Sequence, residues 1–284
     1  MSFISYSQNF EDVVLWRALN HVKDGFYIDV GANHPTEDSV TKAFSEHGWT
    51  GINIEPDKEL CDLLAIERPK DLNLNLAISA NVSSIEFFVS SIRGWSTTDK
   101  DSLRNIKENE SFAESRIVPA MSLDKLCAKY SVQDVHFLKI DVEGAEKDVL
   151  ESFSFDTVRP WIVVVEATKP TTQIDVSEQW ENILFEHDYQ FAYFDGLNKF
   201  YVANEHSELV HRLKTPPNIF DDFILAQHWN SILNATKAEA RALAAEEASN
   251  KLRIDLQTVY SSYSWRITAP FRYLVKKFNL LINK

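Results

Sequence analysis

The stretch Phe26-Tyr27-Ile28-Asp29-Val30-Gly31-Ala32-Asn33-His34-Pro35 decides the fold. Its first six residues read as a β-strand, and Gly31 supplies the tight turn at the strand's carboxyl end. Outward from it, short β-rich runs alternate with helical ones. Residues 36–47 read as a helix closed by Gly48, residues 51–56 as a second strand and residues 57–66 as a second helix. Residues 73–78 read as a third strand and 85–89 as an added one. Residues 135–141 are a fourth core strand, followed by a helix over 145–152. Residues 161–165 are nearly all apolar, as expected of a strand covered on both faces. A helix over 177–187 precedes two last strands, 190–194 and 199–203. Their link, Asp195-Gly196-Leu197-Asn198, is too short for a parallel crossover and predicts a hairpin. The fold class is therefore α/β: a doubly wound, mostly parallel seven-stranded Rossmann-like sheet with an antiparallel terminal hairpin.

Composition changes after Thr215-Pro216-Pro217, which divides the chain into residues 1–222 and a helical extension, 223–284. A long helical pattern runs from about Phe223 to Tyr260, with Leu225, Trp229, Ile232, Thr236, Ala240 and Leu243 near helical spacing. It suits a helix docked on the domain or a homodimer joined as a coiled coil. From Val259 onward there are five basic residues, Arg266, Arg272, Lys276, Lys277 and Lys284, and no acidic one. Phe271, Leu274, Val275, Phe278, Leu281 and Ile282 share one helical face there. This basic amphipathic segment suits peripheral contact with an anionic membrane, a partner, or its own acidic domain.

The chain has 284 residues, 44% of them hydrophobic and 25% charged, which excludes global disorder. A formal net charge of −13 disfavours nucleic acid as a partner. No apolar run approaches the roughly 20 residues of a membrane-spanning helix, and Met1-Ser2-Phe3-Ile4-Ser5 does not read as a secretory leader. Two cysteines, Cys61 and Cys127, make neither a disulfide framework nor a metal cluster, and they suit a reducing cytoplasm.

In open α/β sheets ligands bind at the carboxyl ends of the strands. The loop Gly31-Ala32-Asn33-His34-Pro35 holds one glycine rather than the three of G-x-G-x-x-G, which disfavours a dinucleotide and an NAD-type dehydrogenase. Glu55, at the end of the second strand, is placed to accept from both hydroxyls of a ribose, and Asp29 to face a cationic or amino group. A phosphate-free nucleoside carrying a sulfonium and an amino acid tail, S-adenosylmethionine, has these features.

Several longer stretches resemble the FkbM-type S-adenosylmethionine-dependent methyltransferases. They are Ser5-Tyr6-Ser7-Gln8-Asn9-Phe10-Glu11-Asp12, residues 26–35, 39–44 and 48–56, Asn73-Leu74-Asn75-Leu76-Ala77 and Ser96-Thr97. Residues 136–146, 159–166 and 193–201 continue the likeness, which covers roughly residues 1–225. The resemblance implies a class I methyltransferase fold and O-methylation of a sugar or natural-product hydroxyl. It also implies donor contacts at Asp29, Gly31, Asn33, Glu55, Ala77 and Asp141. Ser262-Tyr263-Ser264-Trp265-Arg266-Ile267-Thr268-Ala269-Pro270 resembles the tails of bacterial surface-polysaccharide enzymes.

A sugar hydroxyl is a poor nucleophile, so a base or a metal should help remove its proton. Candidates lie at the ends of the fourth and fifth core strands. Asp141 and Glu143 are two apart and point alike if the strand continues, and Glu166 ends an apolar strand. These carboxylates suit either a divalent metal or a division into a base and a partner for the sulfonium. His34 is a further candidate base. Lys139 faces either the site or the helix-covered side. Ser7, Gln8, Asn9, Glu11 and Asp12 suggest a capped helix closing over the donor, and Trp95 suits stacking on a sugar or simple burial. The expected function is methyl transfer to a carbohydrate acceptor in surface-glycan assembly, in the cytoplasm or at the inner face of the membrane. The rival is a catalytically inactive methyltransferase-like scaffold whose C-terminal helix recruits a partner or membrane.

Overall fold

The computed structural model describes residues 3–169 and 172–282, without the side chains of 280–282. The chain divides into two compact units, Met1–Ala226 and Gln227–Lys284. The strands in chain order are β1 (Phe3–Ser5), β2 (Phe26–Val30), β3 (Thr50–Ile54), β4 (Leu72–Leu74), β5 (Ala77–Ile78) and β6 (Ser84–Ser90). They continue with β7 (Phe112–Met121), β8 (Phe137–Ile140), β9 (Ile162–Glu166), β10 (Tyr189–Phe194), β11 (Asn198–Ala203) and β12 (Phe223–Leu225). The helices of the first unit are α1 (Glu11–Leu19), α2 (Lys42–Glu46), α3 (Lys58–Glu67), α4 (Lys100–Glu108), α5 (Leu123–Lys129), α6 (Glu146–Glu151), α7 (Glu181–Glu186) and α8 (Val210–Leu213).

The main sheet has seven strands in the order β10-β11-β9-β8-β2-β3-β4. The run from β9 to β4 is parallel, while β11 is antiparallel to both β9 and β10. The expectation of a single sheet is met only in part. A three-stranded sheet, β5-β7-β6, and a parallel pair, β1-β12, stand outside it.

Alternate residues of the central strands feed two separate cores. Ile28, Val30, Leu138, Ile140, Val163 and Val165 pack with Leu126 of α5, Leu150 of α6 and Leu184 of α7. Tyr27, Phe137, Ile162 and Val164 pack with Leu15 and Leu19 of α1 and Leu213 of α8. Coverage on both faces is what makes these strands predominantly apolar, and β9 is buried at every position. The same alternation settles Lys139. It pairs in register with Asp29, and both extend the Tyr27–Phe137 side of the sheet.

Several elements differ from the sequence reading. The helix over 36–47 shrinks to α2, because Arg68 binds Pro35 O, Ser39 Oγ and Thr41 Oγ1 and holds 35–41 as a loop. The strand over 73–78 splits into β4 and β5, because Asn75 Nδ2 donates to the Glu55 and Pro56 carbonyls and turns the chain out of the main sheet. Residues 223–225 are not helical; they pair with β1, and the helix starts at Ala226. The start of α1 has no side-chain cap. Asp12 instead reaches back to accept from Ser5 Oγ, Ser7 Oγ and the Tyr6 N–H.

The second unit contains α9 (Ala226–Ser261), α10 (Tyr263–Ile267) and α11 (Ala269–Ile282). Ser262 separates the first two by capping α10, its side chain accepting the Trp265 N–H. Arg272 lies 3.7 Å from the Trp265 ring centroid, locking the next break. On α11, Phe271, Leu274, Val275 and Phe278 are exposed at i, i+3, i+4 and i+7. The expected continuation of that face at Leu281 and Ile282 falls on undescribed side chains, and Lys284 lies outside the described residues. No helix among the described residues is long and apolar enough to cross a membrane.

Glu11 opens α1 fully buried. Its Oε1 accepts from Asn198 Nδ2 at 2.7 Å and its Oε2 from the Asn9 N–H at 3.0 Å. Burial first, and Asp195 second, push its carboxyl from 4.5 up to about 7. A raised acid binds its proton more tightly in the folded state, so this stability is present below pH 4.5 and lost as pH rises through about 7. Glu11→Gln has no such term. Thermal melts should therefore show the wild-type advantage over Glu11→Gln shrinking between pH 5 and pH 8; a widening gap would contradict the assignment.

Candidate functional site

The site is organised by the turn after β2. Gly31 has φ +81°, and its N–H and that of Ala32 both donate to Ile54 O, at 3.0 and 3.1 Å. From the other side, the Asp141 N–H donates to Val30 O at 3.0 Å. A β-carbon at position 31 would stand 1.8 Å from Asp141 O, so only glycine allows the ends of β2 and β8 to approach this closely. The next bend, at Asn33 with φ +51°, aims the Asn33 N–H at Glu55 Oε2, 2.7 Å away. The Asp57 N–H takes the other oxygen, Oε1, at 2.8 Å. Burial pushes the Glu55 carboxyl up to about 7 against the pull of these two N–H groups.

Asp29 is held by a buried relay. Arg68 donates to Thr41 Oγ1, and Thr41 Oγ1 donates to Asp29 Oδ2 at 3.0 Å. Asp29 Oδ1 accepts no hydrogen bond, and Lys139 Nζ lies 3.6 Å from it. Lys139 also binds Asp141 Oδ2 at 3.1 Å and Gly31 O at 3.3 Å. Burial alone would lower the lysine's pKa, but Asp141 and Asp29 outweigh it and raise it. One ammonium thus ties the end of β8 to the carboxylate of β2.

These groups border one cavity of about 480 Å³. Asp29, Gly31, Asn33, Glu55, Ala77, Asp141, Glu143 and Glu166 all line it. Leu76 and Ile78 add an apolar floor, joined by Phe87 and Val89 of the three-stranded sheet. The loop from Ser90 to Thr98, including half-buried Trp95, forms a further wall. Arg93 clasps this loop to the loop after β2, 2.7 Å from Glu37 and 2.6 Å from Asp38. Thr97 Oγ1 donates to Glu143 O at 2.8 Å and pins the wall to the turn after β8.

The carboxylates of Asp141, Glu143 and Glu166 meet, with one oxygen of each within 4.8 Å of the others. They do not meet by continuing a strand. β8 ends at Ile140, and Glu143 bends back with φ +56°. Glu146, at the start of α6, stabilises that bend by accepting the N–H groups of Gly144 (3.0 Å) and Val142 (3.3 Å). Burial, then Asp141 and Glu146, hold Glu143 well above the ordinary carboxylate range. Burial, then Asp141, Glu143 and Glu146, do the same to Glu166.

His34 is not brought in. It is absent from the cavity wall, and its Nδ1 accepts the Thr36 and Glu37 N–H groups at 3.2 and 3.0 Å, which makes it a brace for the loop rather than a base. Gln8 does reach the wall from the start of α1. The sequence reading passed over Glu146, whose signal was an acidic residue in the first turn of a helix. It also passed over Arg93, which has no local signal because its partners are 55 and 56 residues earlier. Residues 29–191 match the model of the methyltransferase FkbM domain. No curated protein matches the chain.

The relay to Asp29 makes an isosteric test available. Thr41→Val leaves Asp29 Oδ2 and one Arg68 N–H buried without that partner. Urea unfolding should show a loss of about 1.5–3 kcal/mol, the range for hydrogen bonds to charged groups. An unchanged midpoint would mean the relay does not hold Asp29.

Proposed function

The chain belongs to the FkbM methyltransferase family, and from that membership we propose that it is an O-methyltransferase moving a methyl group from S-adenosylmethionine to a carbohydrate hydroxyl. The observation that carries the reading is the single cavity shared by Asp29, Asn33 and Glu55 on one side and Asp141, Glu143 and Glu166 on the other. Its volume of about 480 Å³ suits a nucleoside-sized ligand. The fit is supported by polar atoms already in position. Glu55 has both oxygens oriented by backbone N–H groups and keeps lone pairs for ribose hydroxyls. Asn33 Oδ1 and Asp29 Oδ1 are buried acceptors that take no hydrogen bond, suited to donors on the amino acid tail or base.

S-adenosylmethionine supplies a methyl carbon activated by its sulfonium. The chain's task is to hold the acceptor oxygen in line with that carbon and to take its proton. Orientation of this kind can be worth about 7 kcal/mol or more. The hydroxyl proton would pass to Asp141, the carboxylate of the 141–143–166 group that is paired with Lys139. Trp95 in the wall offers a ring face for a sugar. The resemblance of residues 262–270 supports a place in bacterial surface-polysaccharide assembly, and two buried free thiols, Cys61 and Cys127, suit the cytoplasm.

Calorimetric titration with S-adenosylhomocysteine tests the donor site. The wild type should bind, Glu55→Ala should bind at least about tenfold more weakly, equivalent to about 1.4 kcal/mol, and Asp141→Asn should lower turnover on a methylated glycan's precursor. A wild-type chain that binds no S-adenosylhomocysteine would leave the inactive scaffold as the better reading.

We propose in addition that α11 rests on an anionic bilayer. The exposed Phe271, Leu274, Val275 and Phe278 share a face, with Arg272, Lys276 and Lys277 off it. In liposome flotation the full chain should rise with phosphatidylglycerol vesicles and not with phosphatidylcholine alone, and Phe271→Ser with Phe278→Ser should abolish it. A chain that stays at the bottom and sediments as two copies would assign the face to a homodimer.

A further inference from the structure

We propose that Asp141, Glu143 and Glu166 together form a binding site for one hard, oxygen-seeking divalent cation. One oxygen from each carboxylate lies within 4.8 Å of the other two. With metal–oxygen bonds of about 2.0–2.6 Å across the magnesium-to-calcium range, two ligands on one ion stand up to about 4–5 Å apart. The three oxygens therefore fit within the shell of a single ion.

A cluster of acids on a surface would mean little, but Glu166 is not on the surface. It is 8% exposed, lines the cavity wall, and its Oε2 is sealed from solvent with no hydrogen-bond partner. A buried carboxylate oxygen left without a partner is costly. The positive charge nearest the cluster is already committed: Lys139 binds Asp141 Oδ2 and Gly31 O and neighbours Asp29. A hard cation is the partner that an all-oxygen donor set without histidine or cysteine prefers.

The turn that carries Glu143 is braced as a ligand-bearing turn needs to be. Thr97 Oγ1 binds the Glu143 carbonyl, and Glu146 binds the N–H groups on either side of residue 143. These contacts hold a non-glycine residue at φ +56°, a conformation that persists only where its surroundings enforce it. Three protein oxygens leave positions for water and for an alcohol oxygen of the acceptor. That last use rests on the methyl-transfer reading; the site itself does not.

Titration of the full chain, freed of metal by chelation, with Mn²⁺ alone tests this, following the loss of the free-ion electron paramagnetic resonance signal. About one ion should bind per chain, and Glu166→Gln should weaken binding at least about tenfold. If Glu166→Gln does not keep a cooperative melt, Glu143→Gln is read in its place, since Glu143 lies on a half-buried turn. Binding that is absent in the wild type, or unchanged in the variant that folds, overturns the proposal. S-adenosylhomocysteine binding is scored separately. A chain that takes Mn²⁺ but not S-adenosylhomocysteine keeps the metal site and loses the donor reading, and the reverse result overturns the metal site alone.

Discussion

The carbonyl oxygen of Asp141 stands where the β-carbon of any residue but glycine at position 31 would have to be. That contact fixes how closely the ends of β2 and β8 converge, and much of the site follows from it. The Gly31 and Ala32 N–H groups are then free to bind Ile54 O, which draws in the end of β3 and with it Glu55. Asp141 is brought beside Lys139, and the turn after it carries Glu143 towards Glu166. A single backbone approach thus aligns the wall that suits a nucleoside with the wall that carries the carboxylates.

The electrostatics of the two walls differ in kind. On the Glu55 side each acid has its own partners: Glu55 has two backbone N–H groups, and Asp29 has Thr41 and the nearby Lys139. On the other side four acids, Asp141, Glu143, Glu146 and Glu166, crowd together, and only Asp141 meets the lysine. Crowding and burial keep Glu143 and Glu166 reluctant to ionise unless positive charge arrives. A wall that repels its own charge has a standing affinity for a cation, and positive charge arriving there would free Glu143 and Glu166 to ionise.

Much of the frame was legible in the sequence because burial on both faces favours unbroken apolar runs such as Ile162-Val163-Val164-Val165. Asp29, Gly31 and Glu55 were legible because they sit at strand ends, where spacing alone predicts convergence. The rest depends on contacts between distant residues. Arg68 reshapes residues 35–41 from 27 or more positions away, and no local pattern announces it. β7 hid behind an exposed, charged first half and Pro119, a residue that argues against a strand. His34 read as a candidate base from its residue type and its place after the first loop, but its Nδ1 is occupied by the loop's own N–H groups. Asp141 and Glu143 were rightly paired by number, but the geometry that unites them is a left-handed turn rather than an extended strand.

The most direct measurement compares two glycine-to-alanine variants by urea unfolding and S-adenosylhomocysteine binding. Gly48, at φ +91°, has nothing within 4 Å of its absent β-carbon, so Gly48→Ala should cost only the backbone term of about 1–2 kcal/mol and leave binding intact. Gly31→Ala carries a backbone term of the same kind and adds the collision with Asp141 O, and should cost at least about 1–3 kcal/mol more while losing the ligand. Equal costs for the two, with binding retained in Gly31→Ala, would contradict the account.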